Sequence, residues 1–175
     1  GIVTRPTPLS PVGLRVEGRR ALRASQAFNA GLVELQDEGS QLAALLTDAR
    51  PGMAVADVCA GAGGKTLALA AAMKGEGRLL AMDTAQTRLD RSALRLKRAG
   101  VNERHHGFVE RRTQKDLAAD AALHGAFDRV LVDAPCSGTG AWRRHPDARW
   151  RLTPDDLESY GILQREVLLK AAALV

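Results

Sequence analysis

A glycine-rich turn set between an apolar strand and a helix constrains this 175-residue chain more than any other feature. Ala54 to Cys59 reads as a buried strand, Ala60-Gly61-Ala62-Gly63-Gly64 as a tight loop, and Lys65 to Met73 as a Leu- and Ala-rich helix. Such a turn brings backbone N–H groups and the positive end of a helix up to a ligand. Two ligand chemistries fit it. A phosphate-cradling P-loop needs Gly, four residues, then Gly-Lys-Ser/Thr; Gly64-Lys65-Thr66 supplies the end, but Cys59 stands where the first glycine belongs. Val130 to Asp133 also imitates the apolar-then-Asp strand that holds magnesium in such proteins. A nucleoside cofactor needs instead an acid at the end of the second strand to bond ribose hydroxyls, and Asp83 stands there. That acid favours the cofactor reading.

The surrounding pattern alternates strand and helix. Arg78 to Met82 is the second strand, Thr84 to Ala99 a basic amphipathic helix, and Phe108 to Arg112 a third strand. An Ala-rich stretch runs from Asp116 to Ala122, and Phe127 to Val132 is a fourth strand. Thr153-Pro154-Asp155-Asp156 opens a helix expected to reach about Ala173, with a hydroxyl cap and acids at the positive end of the dipole. This alternation predicts an α/β fold, Rossmann-like, with a mostly parallel sheet and helices on both faces. Ahead of it, Gly31 to Gln36 reads as a short strand and Asp37 to about Asp48 as a helix. Residues 1–30, rich in Pro and Arg, are expected to form an extension or small subdomain, with a hairpin around Glu17-Gly18, and residues 31–175 the main domain.

The fourth strand ends in Asp133-Ala134-Pro135-Cys136-Ser137-Gly138-Thr139-Gly140. A thiol three residues past a carboxylate, at the end of a parallel strand, is a candidate reactive pair. On the chemistry of the residues alone Cys136 is the nucleophile candidate, whereas Cys59 is better read as structural, with its backbone near a ligand. Arg143, Arg144, Arg149 and Arg151 follow, interleaved with Trp142 and Trp150, a pattern suited to phosphates and unstacked bases. The net charge of +5 agrees with a polyanionic partner. Arg88, Arg91, Arg95, Lys97 and Arg98 read as a solvated helix face, and His105-His106 as a surface turn rather than a metal site. Aromatic residues make up only 3% of the chain, so the core must be built from Ala, Leu and Val. Two cysteines, no signal-peptide core and no run near the ~18 apolar residues of a membrane span point to a reducing, cytoplasmic setting.

Taken together, these segments resemble the Sun/Fmu (NOL/NOP/Sun) family of S-adenosylmethionine-dependent RNA cytosine-5 methyltransferases, nearest its bacterial ribosomal-RNA branch. The matching stretches are Gln36 to Leu42, Asp57 to Thr66, Asp83 with Arg88-Leu89, Asp133 to Gly140, and Arg143-Arg144-His145-Pro146-Asp147 with Arg149-Trp150. The resemblance implies that Cys59, Ala60, Gly61, Ala62, Gly63, Gly64 and Lys65 surround the methionine and ribose of S-adenosylmethionine. It implies that Asp83 holds the ribose hydroxyls with Arg88 nearby, and that Asp133 lies between cofactor and target base. Arg143, Arg144, His145 and Trp150 would meet RNA.

The chain departs from the family pattern in three places. Ala62 replaces a common proline. The adenine-contacting acid has only Asp116 as its candidate. The Thr-Cys-Ser motif that carries the family's nucleophile lies beyond Val175, so the chain is expected to be an incomplete catalytic domain that binds cofactor without methylating. Cys136 then takes the product-release role. The expected substrate is ribosomal RNA; a tRNA enzyme and an inactive cofactor- and RNA-binding module are the alternatives, with a P-loop-like NTPase behind them. Nothing in the sequence demands an obligate protein partner or more than a monomer.

Overall fold

The structure is a computed structural model that describes residues 2–18, 20–101, 108–113 and 120–175. Asp116, proposed above for adenine, and His105-His106 lie outside the described residues.

Two strands set the architecture because they have no polar face. In β3 (Ala54–Val58) and β4 (Arg78–Asp83) every residue after the first is buried, the mark of strands covered on both sides. Their side chains alternate between two cores. Val55, Leu79 and Ala81 face Ala44 of α2 (Glu38–Leu46), Leu69 of α3 (Gly64–Ala72) and Leu96 of α4 (Gln86–Arg98). Ala56, Val58, Leu80 and Met82 face Leu123, Phe127 and the end of the long C-terminal helix, at Ala171 and Leu174. With β5 (Val109–Thr113) and β6 (Arg129–Val132) they form a fully parallel sheet in the order β5-β4-β3-β6. The α/β, Rossmann-like expectation holds.

That order has a consequence for function. The chain adds β4 and β5 on one side of β3 and then returns to lay β6 on the other, so the crevice above β3 is the topological switch point where ligands bind. Register puts the acids there. Met82 and Val132 both lie level with Val58, so Asp83 and Asp133 flank the turn that leaves β3.

The N-terminal segment differs from expectation. Its hairpin joins β1 (Thr4–Pro6) to β2 (Leu14–Val16), with Arg5 opposite Arg15, and closes through Thr7 N–H to Gly13 C=O at 2.9 Å rather than around Glu17-Gly18. Glu38 fixes it by accepting from the amides of Leu9 (2.7 Å) and Ser10 (3.0 Å), which holds the Glu38 carboxyl below its usual range. Residues Gly31 to Gln36 form no strand. They find no ladder partner; Glu34 instead ion-pairs with Arg95 and Arg98, and the Arg98 guanidinium lies 3.8 Å from the Phe28 ring centre in α1 (Gln26–Asn29). Arg95 and Arg98 are therefore half-buried links to the N-terminal segment, not solvated charges. The chain ends in α5 (Ala148–Arg151) and α6 (Pro154–Ala172), the latter started by the expected Thr153–Asp156 capping box. No described helix is long and apolar enough to cross a membrane.

Candidate active site

The turn after β3 is held by its neighbours. Cys59 adopts φ +64°, an uncommon left-handed conformation for a side-chain-bearing residue. Ala60 N–H then reaches Met82 C=O at 2.8 Å, and Gly61 N–H reaches Asp83 Oδ2 at 2.9 Å. Asp83 Oδ1 accepts from Ala85 N–H at 2.8 Å, and Arg88 Nη1 stands 3.8 Å from Oδ2. Thus the nearly buried Asp83 carboxylate ties the loop crest to the start of α4 and still has lone pairs for further donors.

Glycine is required at two points of this turn for different reasons. Gly63 has φ +80° and packs so closely on α4 that a Cβ there would sit 2.7 Å from the Ser92 Cβ. Gly61 has φ +57°, but its Cβ would find nothing nearer than Cys59 O at 3.9 Å. One glycine serves helix packing; the other leaves an open crest. A flat cofactor can approach backbone amides at such a crest, which is the cradle that a nucleoside donor needs.

Across the crevice, Lys65 of α3 donates from Nζ to Asp133 Oδ2 at 2.6 Å. Lys65, expected above to face the cofactor, thus grips the carboxylate at the end of β6, while Asp133 N–H continues the ladder to Val58 C=O at 3.2 Å. Cys136 is exposed three residues on, in a loop secured by Gln164 of α6, whose Nε2 donates to Pro135 C=O at 2.8 Å. Cys59 is half-buried, and burial, reinforced by Asp83 and Asp133, pushes its thiol pKa up. Of the two thiols, Cys136 is the one open to a substrate.

The loop beyond Cys136 carries the expected cations. Arg143 and His145 are exposed, and Trp150 keeps 78% of its surface, with the Arg149 guanidinium 4.4 Å from its ring centre. Arg144 is already engaged: its Nη1 lies 2.6 and 2.7 Å from the two oxygens of Asp37, which stands at the N-cap of α2 without capping it. This exposed pair joins the loop to the N-terminal segment. Trp142, by contrast, is half-buried, with its indole N–H unpartnered.

Sequence reasoning passed over Asp57. It is wholly buried, accepts from the Thr66 hydroxyl at 2.6 Å, and leaves Oδ1 without a hydrogen-bond partner. Its signal was present: a lone carboxylate inside an apolar strand. Desolvation raises its pKa to about 7, with Asp133 and Asp83 adding to the rise and Thr66 and Lys65 opposing it. A native pKa above the unfolded value makes stability fall as pH rises from about 4 to 7 and level off above. Asp57→Asn should remove that slope and stabilise the fold near pH 8 by roughly 4 kcal/mol at most. Denaturant midpoints taken across this range would show it, and an unchanged slope would contradict it.

Fold and loop together define a Rossmann-like α/β domain, with a glycine crest and a strand-end acid at its topological switch point. Residues 44–175 match the family described as 16S rRNA methyltransferase RsmB/F, and the chain belongs to that family. The ribosomal RNA small subunit methyltransferase B of Vibrio cholerae is 34% identical over 168 residues, which are 96% of this chain and 37% of that protein. The chain therefore spans little more than a third of that relative. The crystal structure of PH0851 superposes with a TM-score of 0.89 at 33% identity, covering 99% of this chain and 38% of the other. NSun6 from Pyrococcus horikoshii, solved with SFG, gives 0.76 at 25% identity, covering 91% and 41%. The resemblance to the Sun/Fmu family is borne out.

Proposed function

We propose that this chain is the cofactor-binding part of an enzyme that moves a methyl group from S-adenosylmethionine to carbon 5 of a cytosine in ribosomal RNA. The observation that carries this reading is the Lys65–Asp133 pair, set between the open glycine crest and the exposed Cys136. The names of the family and of its relatives support the ribosomal substrate. The P-loop alternative finds no support in that family.

The chemistry assigns each group a task. Cytosine carbon 5 is a poor nucleophile until a thiolate adds to carbon 6; it can then accept a methyl group, after which the carbon 5 proton and the thiol must leave. S-adenosylmethionine supplies the electrophilic methyl group. Asp83 accepts hydrogen bonds from the ribose hydroxyls, and residues Cys59 to Lys65, with Arg88 close by, line the cofactor. Asp133 meets the ring edge of the base, and Lys65 fixes the direction of its carboxylate. Cys136 assists product release by acting on the adduct that a second thiol forms at carbon 6. Arg143, Arg144, His145 and Trp150 hold the RNA backbone and the unstacked base.

The direct test treats small-subunit ribosomal RNA with the complete protein and methyl-labelled cofactor, then digests the RNA to nucleosides. Label in 5-methylcytidine is expected; label in any other nucleoside would refute the carbon 5 assignment. For the cofactor half, Asp83→Asn in the present chain should weaken S-adenosylmethionine about 10- to 100-fold, the worth of charged hydrogen bonds. Calorimetric titration reads this, and an unchanged affinity would remove Asp83 from the site.

A further inference from the structure

Three carboxylates gather at the C-terminal edge of the sheet, and two of them have a cation at hand. Asp133 is held by Lys65 at 2.6 Å, and Asp83 has Arg88 at 3.8 Å. Asp57 has only the Thr66 hydroxyl on Oδ2, and its buried Oδ1 has no hydrogen-bond partner. The charged groups acting on it are Lys65 of α3, which favours its ionisation, and Asp133 after β6 and Asp83 of β4, which oppose it. With Asp57 ionised the cluster carries one negative charge in excess. With Asp57 protonated it is neutral.

A buried carboxylate without a counter-charge takes up a proton rather than remain ionised, and an arriving cation reverses that preference. S-adenosylmethionine carries a sulfonium; its demethylated product carries a neutral thioether at the same atom. We propose that Asp57 is the charge partner of the cofactor, releasing its proton to solvent when the sulfonium form binds and recovering one from solvent once the methyl group has left. This inference rests on the S-adenosylmethionine reading above. Its balance is simple: binding exchanges one proton for one cation, and methyl transfer turns that cation into a neutral sulfur, so the proton returns. The switch therefore favours the donor over the product, and it works near neutral pH because burial has already pushed Asp57 up to about 7. The Thr66 hydroxyl tunes it by favouring the ionised form.

The experiment is isothermal titration of this chain with S-adenosylmethionine and, separately, with S-adenosylhomocysteine, in buffers of differing ionisation enthalpy. Between about pH 5.5 and 8 the donor should tighten about tenfold and release a sizeable fraction of a proton. The product should show neither effect beyond its own amine titration. In Asp57→Asn the donor should lose that pH dependence, so the cofactor's α-amine, which titrates in the same range, cancels in the comparison with wild type. In Thr66→Val the rise in donor affinity should move to higher pH. If Asp57 merely braced β3 against α3, substitution would weaken donor and product alike and leave proton release unchanged; that result overturns the proposal. Donor binding with no proton release in the unsubstituted chain overturns it without any variant. Failure of both ligands to bind removes instead the cofactor reading beneath it.

Discussion

Cys136→Ser in the complete protein should trap the enzyme on its RNA as a covalent adduct, with turnover falling about 10²- to 10⁴-fold, the range spanned by a missing proton-transfer group. Cys136 is exposed at the end of β6, in a loop fixed by the Gln164 contact to Pro135, and it follows Asp133 by three residues. A thiol so placed can act on the adduct formed by a second cysteine. If that second thiol attacks carbon 6, methyl transfer proceeds in the variant and only elimination fails, so a slow-migrating RNA–protein band grows with time. If Cys136 is itself the attacking group, serine cannot form the bond and no band appears. Denaturing gel electrophoresis with labelled RNA separates the two outcomes, and absence of the adduct would return Cys136 to the nucleophile role that its chemistry alone suggests. Cys59 is the poorer candidate for either task, since burial and the acids around it disfavour its thiolate.

The parts of this site that were legible in the sequence are those whose signal is local. Strands β3 and β4 announce themselves because both faces are buried, which leaves runs that are apolar except for Asp57 in β3 and the end residues Arg78 and Asp83 of β4. Asp83 and Asp133 stand out as single carboxylates ending such runs, and parallel register carries both to the same edge. The unread parts depend on partners distant in sequence. Glu34 turns Gly31 to Gln36 away from strand geometry only because Arg95 and Arg98 lie opposite on α4. The turn of the N-terminal ribbon is anchored by Glu38, some 28 residues downstream of Ser10. Arg144 is recognisable as an exposed cation, but its pairing with Asp37 bridges 107 positions. Asp57 stands in a strand read as buried, but its unpartnered Oδ1 and its neighbours Lys65, Asp83 and Asp133 are set by the fold and not by the local sequence.

The glycine loop offers the sharpest separation of stability from binding. Gly63→Ala places a methyl group 2.7 Å from the Ser92 Cβ and 3.3 Å from its Cα, in a backbone conformation that L-residues resist. The left-handed backbone costs about 1–2 kcal/mol and overpacking a further ~1–3. Ser92 is wholly buried and donates to Leu89 C=O at 2.7 Å, so α4 cannot yield by a side-chain rotation. A loss of about 2–5 kcal/mol is expected, a large share of a domain's total stability. Gly61→Ala bears the same backbone cost, but its methyl group has open space, with the nearest atom at 3.9 Å. That substitution should lower stability by only about 1–2 kcal/mol while its methyl group stands on the crest that the cofactor must approach. Denaturant unfolding and cofactor titration on both variants should therefore rank them in opposite orders: Gly63→Ala worse in stability, Gly61→Ala worse in affinity among molecules that remain folded. If both variants lost stability equally and the folded fraction of Gly61→Ala bound S-adenosylmethionine like the unsubstituted chain, the crest would not be the cofactor's seat.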